Sequence, residues 1–412
     1  MIFKYTKSTY LLWFFCISVQ LVSCAQQSNT TSTKEKHRPN SIVCGADNTE
    51  AYLSYLGGKK IAIVANQTSV VNSENAPAKH LVDFLVAQPT VSVQKVFAPE
   101  HGFRGKADAG ETVKDGIDTK TGLPIISLYG KNKKPYPSQL KGLDLVVFDI
   151  QDVGARFYTY ISTLHYVMEA CAEANIPLLL LDRPNPNAHY IDGPVLEKSC
   201  KSFVGMHPVP TVYGMTIGEY GRMINGEHWL AKGVRCELKV IKLKNYTHST
   251  PYILPIKPSP NLPNATAINL YPSLCFFEGT PKVSVGRGTS QQFQVVGTPD
   301  YRVPAASFSF VPQPNEGAKY PKNQGKKCIG FDLSTHNRLN SIELKWLITF
   351  YKAHQKNREK VAFFNAFFKK LAGTPLLQKQ LEQGLTEAAI KKSWQPGLNT
   401  FKKTRKKYLL YP

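Results

Sequence analysis

Short continuous apolar runs recur along the first half of the chain: Ile61 to Val64, Val91 to Phe97, Leu145 to Ile150 and Pro177 to Asp182. Runs without polar alternation are the pattern of strands covered on both faces, as in a parallel sheet. Between them, Ala76 to Ala87 and Tyr160 to Ala174 space their apolar residues at helical intervals, the second stopping near Asn175 and Pro177. This alternation of strand and helix predicts an α/β fold with a Rossmann-like, mostly parallel sheet. After about residue 235 the texture turns irregular and proline-rich, with Pro251, Pro255, Pro258, Pro260 and Pro263 in close succession. That change is read as a crossing from a catalytic domain over 41–235 to a smaller α+β auxiliary domain over 236–412. The second domain is expected to hold Val283 to Val296, a helix from about Ser341 to His354 and a phenylalanine-rich helix around Val361 to Leu371.

In open α/β sheets ligands bind beyond the carboxyl ends of the strands, and this chain concentrates its polar groups there. Pro99 closes the second run, and Glu100, His101, Arg104 and Glu111 follow in a glycine-rich stretch. The third run leads into Asp149, Asp152 and Arg156, the fourth into Asp182, Arg183 and Asn185. With the strands as parallel neighbours, these loops converge on one rim. Taken singly, Asp149 and Asp182 also fit helix caps or partners of a nearby arginine. Two carboxylates flanking a sugar are the tools of glycoside hydrolysis, one protonating the leaving oxygen and the other serving as base or nucleophile. Phe97 and Phe103 are expected to supply the apolar surround that keeps the Glu100 carboxyl protonated. Arginine forks suit a sugar that carries a carboxylate.

Other chemistries find no support. Ala65-Asn-Gln-Thr-Ser69 stands where a dinucleotide fold would carry GxGxxG, so no cofactor is expected. The histidines lack HExxH spacing and the cysteines lack CxxC, so no metal is expected either. There is no GxSxG elbow for an esterase.

Charge and the N-terminus place the chemistry. The chain carries a formal net charge of +22, which favours anionic partners. No nucleic-acid-binding signature accompanies it, so an anionic envelope polymer is the expected partner rather than nucleic acid. Lys4 and Lys7 precede an apolar stretch from about Tyr10 to Val22, and Leu21-Val-Ser-Cys24 resembles a bacterial lipobox. Residues 1–23 are thus read as a lipoprotein signal peptide, Cys24 as the lipidated residue and 24–40 as a flexible tether. The expected location is the cell envelope, membrane-anchored and facing the periplasm or the surface. Cys44, Cys171, Cys200, Cys236, Cys275 and Cys328 are widely spread, and an oxidising compartment allows one or two disulfides of undefined pairing.

Pro99-Glu-His-Gly-Phe-Arg-Gly105, Ala109-Gly-Glu111, Thr121-Gly-Leu-Pro124, Ser127-Leu-Tyr-Gly130, the run from Phe148 to Tyr160 and Asp182-Arg-Pro-Asn-Pro186 together resemble the NamZ-type exo-β-N-acetylmuramidases. Gly193-Pro194, Phe203-Val-Gly205, Tyr213 to Glu219, Asn261-Leu-Pro263 and Phe277-Glu-Gly-Thr280 continue the match over nearly all of the expected mature chain. The resemblance implies a Rossmann-like domain, a smaller auxiliary domain and an active site in the cleft between them. It implies release of single N-acetylmuramic acid residues from the non-reducing ends of peptidoglycan fragments without stem peptides. The family's proposed catalytic glutamate carries over to Glu100. Its partner is left among Glu111, Asp149, Asp152 and Glu278. Substrate contacts are expected from His101, Arg104, Arg156, Tyr158, Asp182, Arg183, Asn185 and Arg287. The competing readings are a non-catalytic, peptidoglycan-binding envelope lipoprotein and, more weakly, an esterase or deacetylase acting on the same polymer.

Overall fold

A computed structural model of the protein describes residues 41–73, 76–104, 115–357 and 360–412. The expected signal peptide, Cys24, the tether and Glu111 lie outside the described residues. In chain order residues 60–241 contain β1 (Lys60–Ala65), β2 (Val70–Ser73), β3 (Ala76–His80), β4 (Ser92–Ala98), β5 (Gly116–Ile117), β6 (Pro124–Ser127), β7 (Leu145–Asp149), β8 (Leu178–Leu181) and β9 (Leu238–Ile241). Seven of these form one sheet in the order β5-β6-β4-β1-β7-β8-β9, parallel throughout except where β5 meets β6. All four apolar runs of the sequence are strands of this sheet, and β7 and β8 are buried along their whole length. The sheet continues past residue 235, since β9 pairs with β8.

The topology selects one place on this sheet. From the central β1 the chain builds outward through β4 and β6, then returns to β7 on the other flank of β1. The loops after β4 and β7 therefore leave the same edge in opposite directions and open a crevice between them.

A second, antiparallel sheet of β10 (Val295–Thr298), β11 (Phe308–Phe310) and β12 (Cys328–Asp332) has the order β10-β12-β11. Helices Ala265–Leu274, Lys345–Lys356 and Glu387–Lys406 accompany it. The last residues return to the large sheet, where the Tyr411 hydroxyl donates to Asp182 Oδ2 at 2.6 Å and the Leu410 amide to Glu219 Oε1 at 2.8 Å.

Three helical expectations are corrected. Residues 76–80 pair as β3 with β2, and the helix starts only at Leu81. Pro77 has no amide to give a helix ladder, and His80 caps the helix by accepting from the Val82 amide through Nδ1 at 3.2 Å. The helix expected from Ser341 begins at Lys345, because Asp192, Ser273 and Glu387 take the amides of Ile342, Glu343 and Leu344. Residues 361–367 are irregular, and only Phe368–Ala372 is helical. Here aromatic packing overrides local propensity: Phe363 and Phe364 lie against Tyr351, and Phe364 lies 4.3 Å from Phe368, ring centre to ring centre. All six described cysteines are buried free thiols.

Candidate active site

Strand β4 ends at Ala98, and a tight turn closed by the Gly102 amide on the Pro99 carbonyl, at 3.0 Å, presents Glu100. From the far side of β1, the loop after β7 brings Thr159, whose hydroxyl donates to Glu100 Oε2 at 2.7 Å. This hydrogen bond spans the crevice at the switch point. Glu100 and His101 line a cavity of about 270 Å3, together with Tyr129, Phe157, Tyr158, Thr159 and Phe203 from the first half of the chain. Asn261, Tyr271, Cys275, Glu278, Arg287, Phe293 and Phe367 line it from the second half. Its inner wall is a chain of edge-to-face rings, Phe157 to Tyr271 at 5.1 Å and Tyr271 to Phe293 at 4.9 Å. Burial, reinforced by the Glu100 carboxylate, raises the Tyr129 pKa and keeps its phenol protonated.

Glu278 shares this cavity. Burial alone favours its neutral form, but Arg287, with Nε 3.3 Å from Oε2, and Lys322 outweigh burial and hold the carboxyl below the ordinary glutamate range. Lys322 is fixed by donating to the carbonyls of Phe277 and Thr280 at 2.9 and 2.6 Å. Arg287 sits in a constrained loop, since Gly286 and Gly288 both have positive φ and a Cβ on either would come within 2.6 Å of a backbone carbonyl. Two cavity residues, His101 at φ 71° and Phe293 at φ 55°, are non-glycine residues in the left-handed region. Such strain persists where surrounding structure overrides it, and it clusters at functional sites.

The strand-end groups do not all converge as the sequence suggests. Of all the site residues expected from the sequence, Glu100, His101, Tyr158, Glu278 and Arg287 meet in the cavity; the other described ones do not line it. Asp149 is fully buried in a two-pronged pair with Arg183, Nε to Oδ1 at 2.5 Å and Nη2 to Oδ2 at 2.8 Å, and Arg183 also donates to the Val70 carbonyl. Burial opposes the Arg183 charge, yet the Asp149 carboxylate overrides it and keeps the guanidinium protonated. Arg104 holds Asp118 at 2.8 Å and Asp83 at 3.2 Å. Asn185 donates to the Met215 carbonyl and accepts from the Asn187 amide. Phe97 and Phe103 belong to the core and do not line the cavity around Glu100.

Arg156 is a staple. Its Nη atoms donate to the carbonyls of Pro194, Val209, Leu371 and Ala372 at 2.7 to 3.0 Å, joining the end of the helix Phe368–Ala372 to the first half of the chain. Burial lowers its pKa to about 10, which leaves it charged at neutral pH. Arg156→Met strands these buried acceptors and is expected to lower the free energy of unfolding by about 3 kcal/mol or more in urea titrations. A change under about 0.5 kcal/mol contradicts the staple.

Asp152 and Asp182 set a pH dependence. Asp152 accepts from Tyr213 and the Gly154 amide, and Asp182 from Thr216, Tyr411 and the Gly218 amide. Burial pushes their pKa values up to about 6 and about 7, from an unfolded 3.8. A folded pKa above the unfolded one gives stability that is complete below the unfolded value and lost as pH rises through the folded value. Asp152→Asn is expected to flatten the fall of the urea midpoint between pH 4 and pH 8. An unchanged slope counts against this assignment.

Paired carboxylates facing one aromatic-walled cavity are the equipment of glycoside hydrolases, and fold and cavity together place the chain in that class. The family described as exo-beta-N-acetylmuramidase NamZ matches it with an N-terminal part over residues 61–266 and a C-terminal part over 269–411. The chain belongs to this NamZ family. It is 38% identical over 385 residues to the peptidoglycan beta-N-acetylmuramidase NamZ of Bacillus subtilis, covering 87% of this chain and 89% of that one. Two crystal structures of DUF1343 family proteins from Bacteroides fragilis superpose on it with TM-scores of 0.81 and 0.76, at 45% and 28% identity. Each match covers 90% of this chain and 99% of the other.

Sequence reasoning passed over Tyr129, Thr159, Asn261 and Phe367 as site residues. The first three lie within motifs that carry the family resemblance, which was their available signal. Nothing local marks Phe367.

Proposed function

We propose that the protein removes N-acetylmuramic acid from the non-reducing ends of peptidoglycan-derived glycans, with Glu100 as general acid and Glu278 as the second carboxylate. The observation that carries this reading is that both line one small cavity. At about 270 Å3 it lies just below the roughly 300–1,000 Å3 of common ligand pockets, a size that suits one sugar residue and not a chain. Glu100 passes its proton to the glycosidic oxygen as the bond from C1 breaks. Glu278, kept ionised by Arg287 and Lys322, acts at the anomeric carbon as base or nucleophile. Water delivers its hydroxyl to C1 and its remaining proton restores the acid. Arg287 is the arginine among the lining residues of this cavity, and its guanidinium suits the lactyl carboxylate of a muramic acid. Incubating the purified protein with a chromogenic β-N-acetylmuramide is expected to liberate the chromophore, and no release from folded protein overturns the reading.

The same proposal places the enzyme in the cell envelope, held to a membrane by lipid on Cys24. Its support is the basic start, the apolar stretch and Leu21-Val-Ser-Cys24. Cys24→Ser is expected to move the protein from the membrane fraction to the soluble fraction. Unchanged membrane retention overturns the anchor.

A further inference from the structure

Exposure orders the cavity from floor to mouth. Phe157, Tyr158, Tyr271 and Phe293 are all under a tenth exposed and form its inner wall. Phe203 and Val204 are half-buried, and Phe367 is 41% exposed although it lines the same cavity. The Glu278 and Arg287 side chains are 25% and 22% exposed, between the buried wall and Phe367, so a sugar held beside them has Phe367 at the more open end, toward whatever it is joined to.

The two rim phenylalanines are held in place by their backbones. The Phe367 amide donates to Asn365 Oδ1 at 2.9 Å, and its carbonyl accepts from the amides of Lys370 and Leu371 at 3.0 and 3.1 Å. Its neighbours Phe364 and Phe368 pack ring against ring in the core, while Phe367 leaves its ring open to water. Phe203 is buttressed by Tyr166, whose ring lies nearly parallel to it at 6.3 Å, and its carbonyl accepts from the Ser162 hydroxyl at 2.7 Å. An aromatic fixed through its backbone and exposed to water at the lip of an aromatic-walled cavity forgoes its burial energy and leaves an apolar face open to a ligand.

We propose that Phe367 is the platform for the leaving-group sugar, with Phe203 as the second rim group. The ligand class is a neutral pyranose, an N-acetylhexosamine, whose C–H-rich face lies on the Phe367 ring. This inference rests on the hydrolase reading of the cavity and adds to it a binding site for the departing half of the substrate.

The test compares two substrates that share the muramyl residue but differ in what leaves: a muramyl-β-1,4-N-acetylglucosamine disaccharide and β-N-acetylmuramyl fluoride, whose leaving group has no ring. Phe367→Ala is expected to lower kcat/KM on the disaccharide about tenfold, mainly through KM, and to leave the fluoride within about twofold. Phe367→Tyr is expected to keep the disaccharide activity, which a merely structural role would not predict from the pair of substrates. Unchanged unfolding midpoints establish that both variants are folded. Equal losses on the two substrates, or no loss on the disaccharide, overturn the platform. Turnover of neither substrate by the unsubstituted protein overturns the hydrolase reading itself, and the platform with it.

Discussion

Glu100→Gln is expected to lower kcat/KM for a muramyl disaccharide by about a thousandfold while leaving the urea midpoint unchanged. General acid catalysis by a positioned side chain contributes roughly 10²–10⁴ in rate. The amide is isosteric, and its oxygen still accepts the Thr159 hydroxyl bond that ties the loop after β4 to the loop after β7. What it cannot do is give up a proton to the glycosidic oxygen. The loss must therefore depend on how badly the leaving group needs that proton. A sugar alkoxide needs it most and a nitrophenolate much less, so the nitrophenyl muramide should suffer the smaller loss. That ratio separates an acid from a residue that only shapes the pocket. Equal losses on the two substrates, or full activity on the disaccharide, assign the proton to another group.

The sheet was legible because its signal is local. Continuous apolar runs at β1, β4, β7 and β8 name strands covered on both faces, and Pro99 marks the end of β4. The helix starts were less legible because they are decided by distant partners: nothing near Ser341 in the sequence says that Asp192 and Glu387 will take the amides of Ile342 and Leu344. The same limit governs the site. Asp149, Arg156 and Arg183 have the residue types of catalysis and anion binding, but a sequence shows the type of a group and not its partner. In the fold Asp149 and Arg183 satisfy one another and Arg156 spends its donors on carbonyls. Glu278 and Arg287 are opposite in kind. They lie far from β4 in sequence, and only the return of the second half of the chain over the strand ends brings them to the cavity of Glu100.

Glu278→Gln is expected to lower kcat by about a hundredfold or more, and its pH profile should say why. Burial raises the Glu278 pKa, but the Arg287 and Lys322 charges more than reverse this, so the folded value lies below the ordinary glutamate value of 4.5. A depressed carboxyl pKa keeps the charged form present as pH falls, so the acid limb set by Glu278 lies below the ordinary glutamate range. The linked stability is present above the unfolded value and is lost as pH falls through the folded one. Replacing the charge by an amide removes that limb and leaves Arg287 and Lys322 facing one another's charge without their anion. Lys322, whose pKa burial already lowers, then loses the proton more readily. If the lost function is that of an anion at the anomeric carbon, azide or formate, each small enough for the space of a carboxylate, should restore part of the turnover of a nitrophenyl muramide in Glu278→Ala, where that space is empty. Arg287→Met should not respond, because there the anion is still present and only its orientation and pKa have changed. Activity within threefold of the unsubstituted protein in Glu278→Gln removes Glu278 from the chemistry and returns the question to Glu111, which lies outside the described residues.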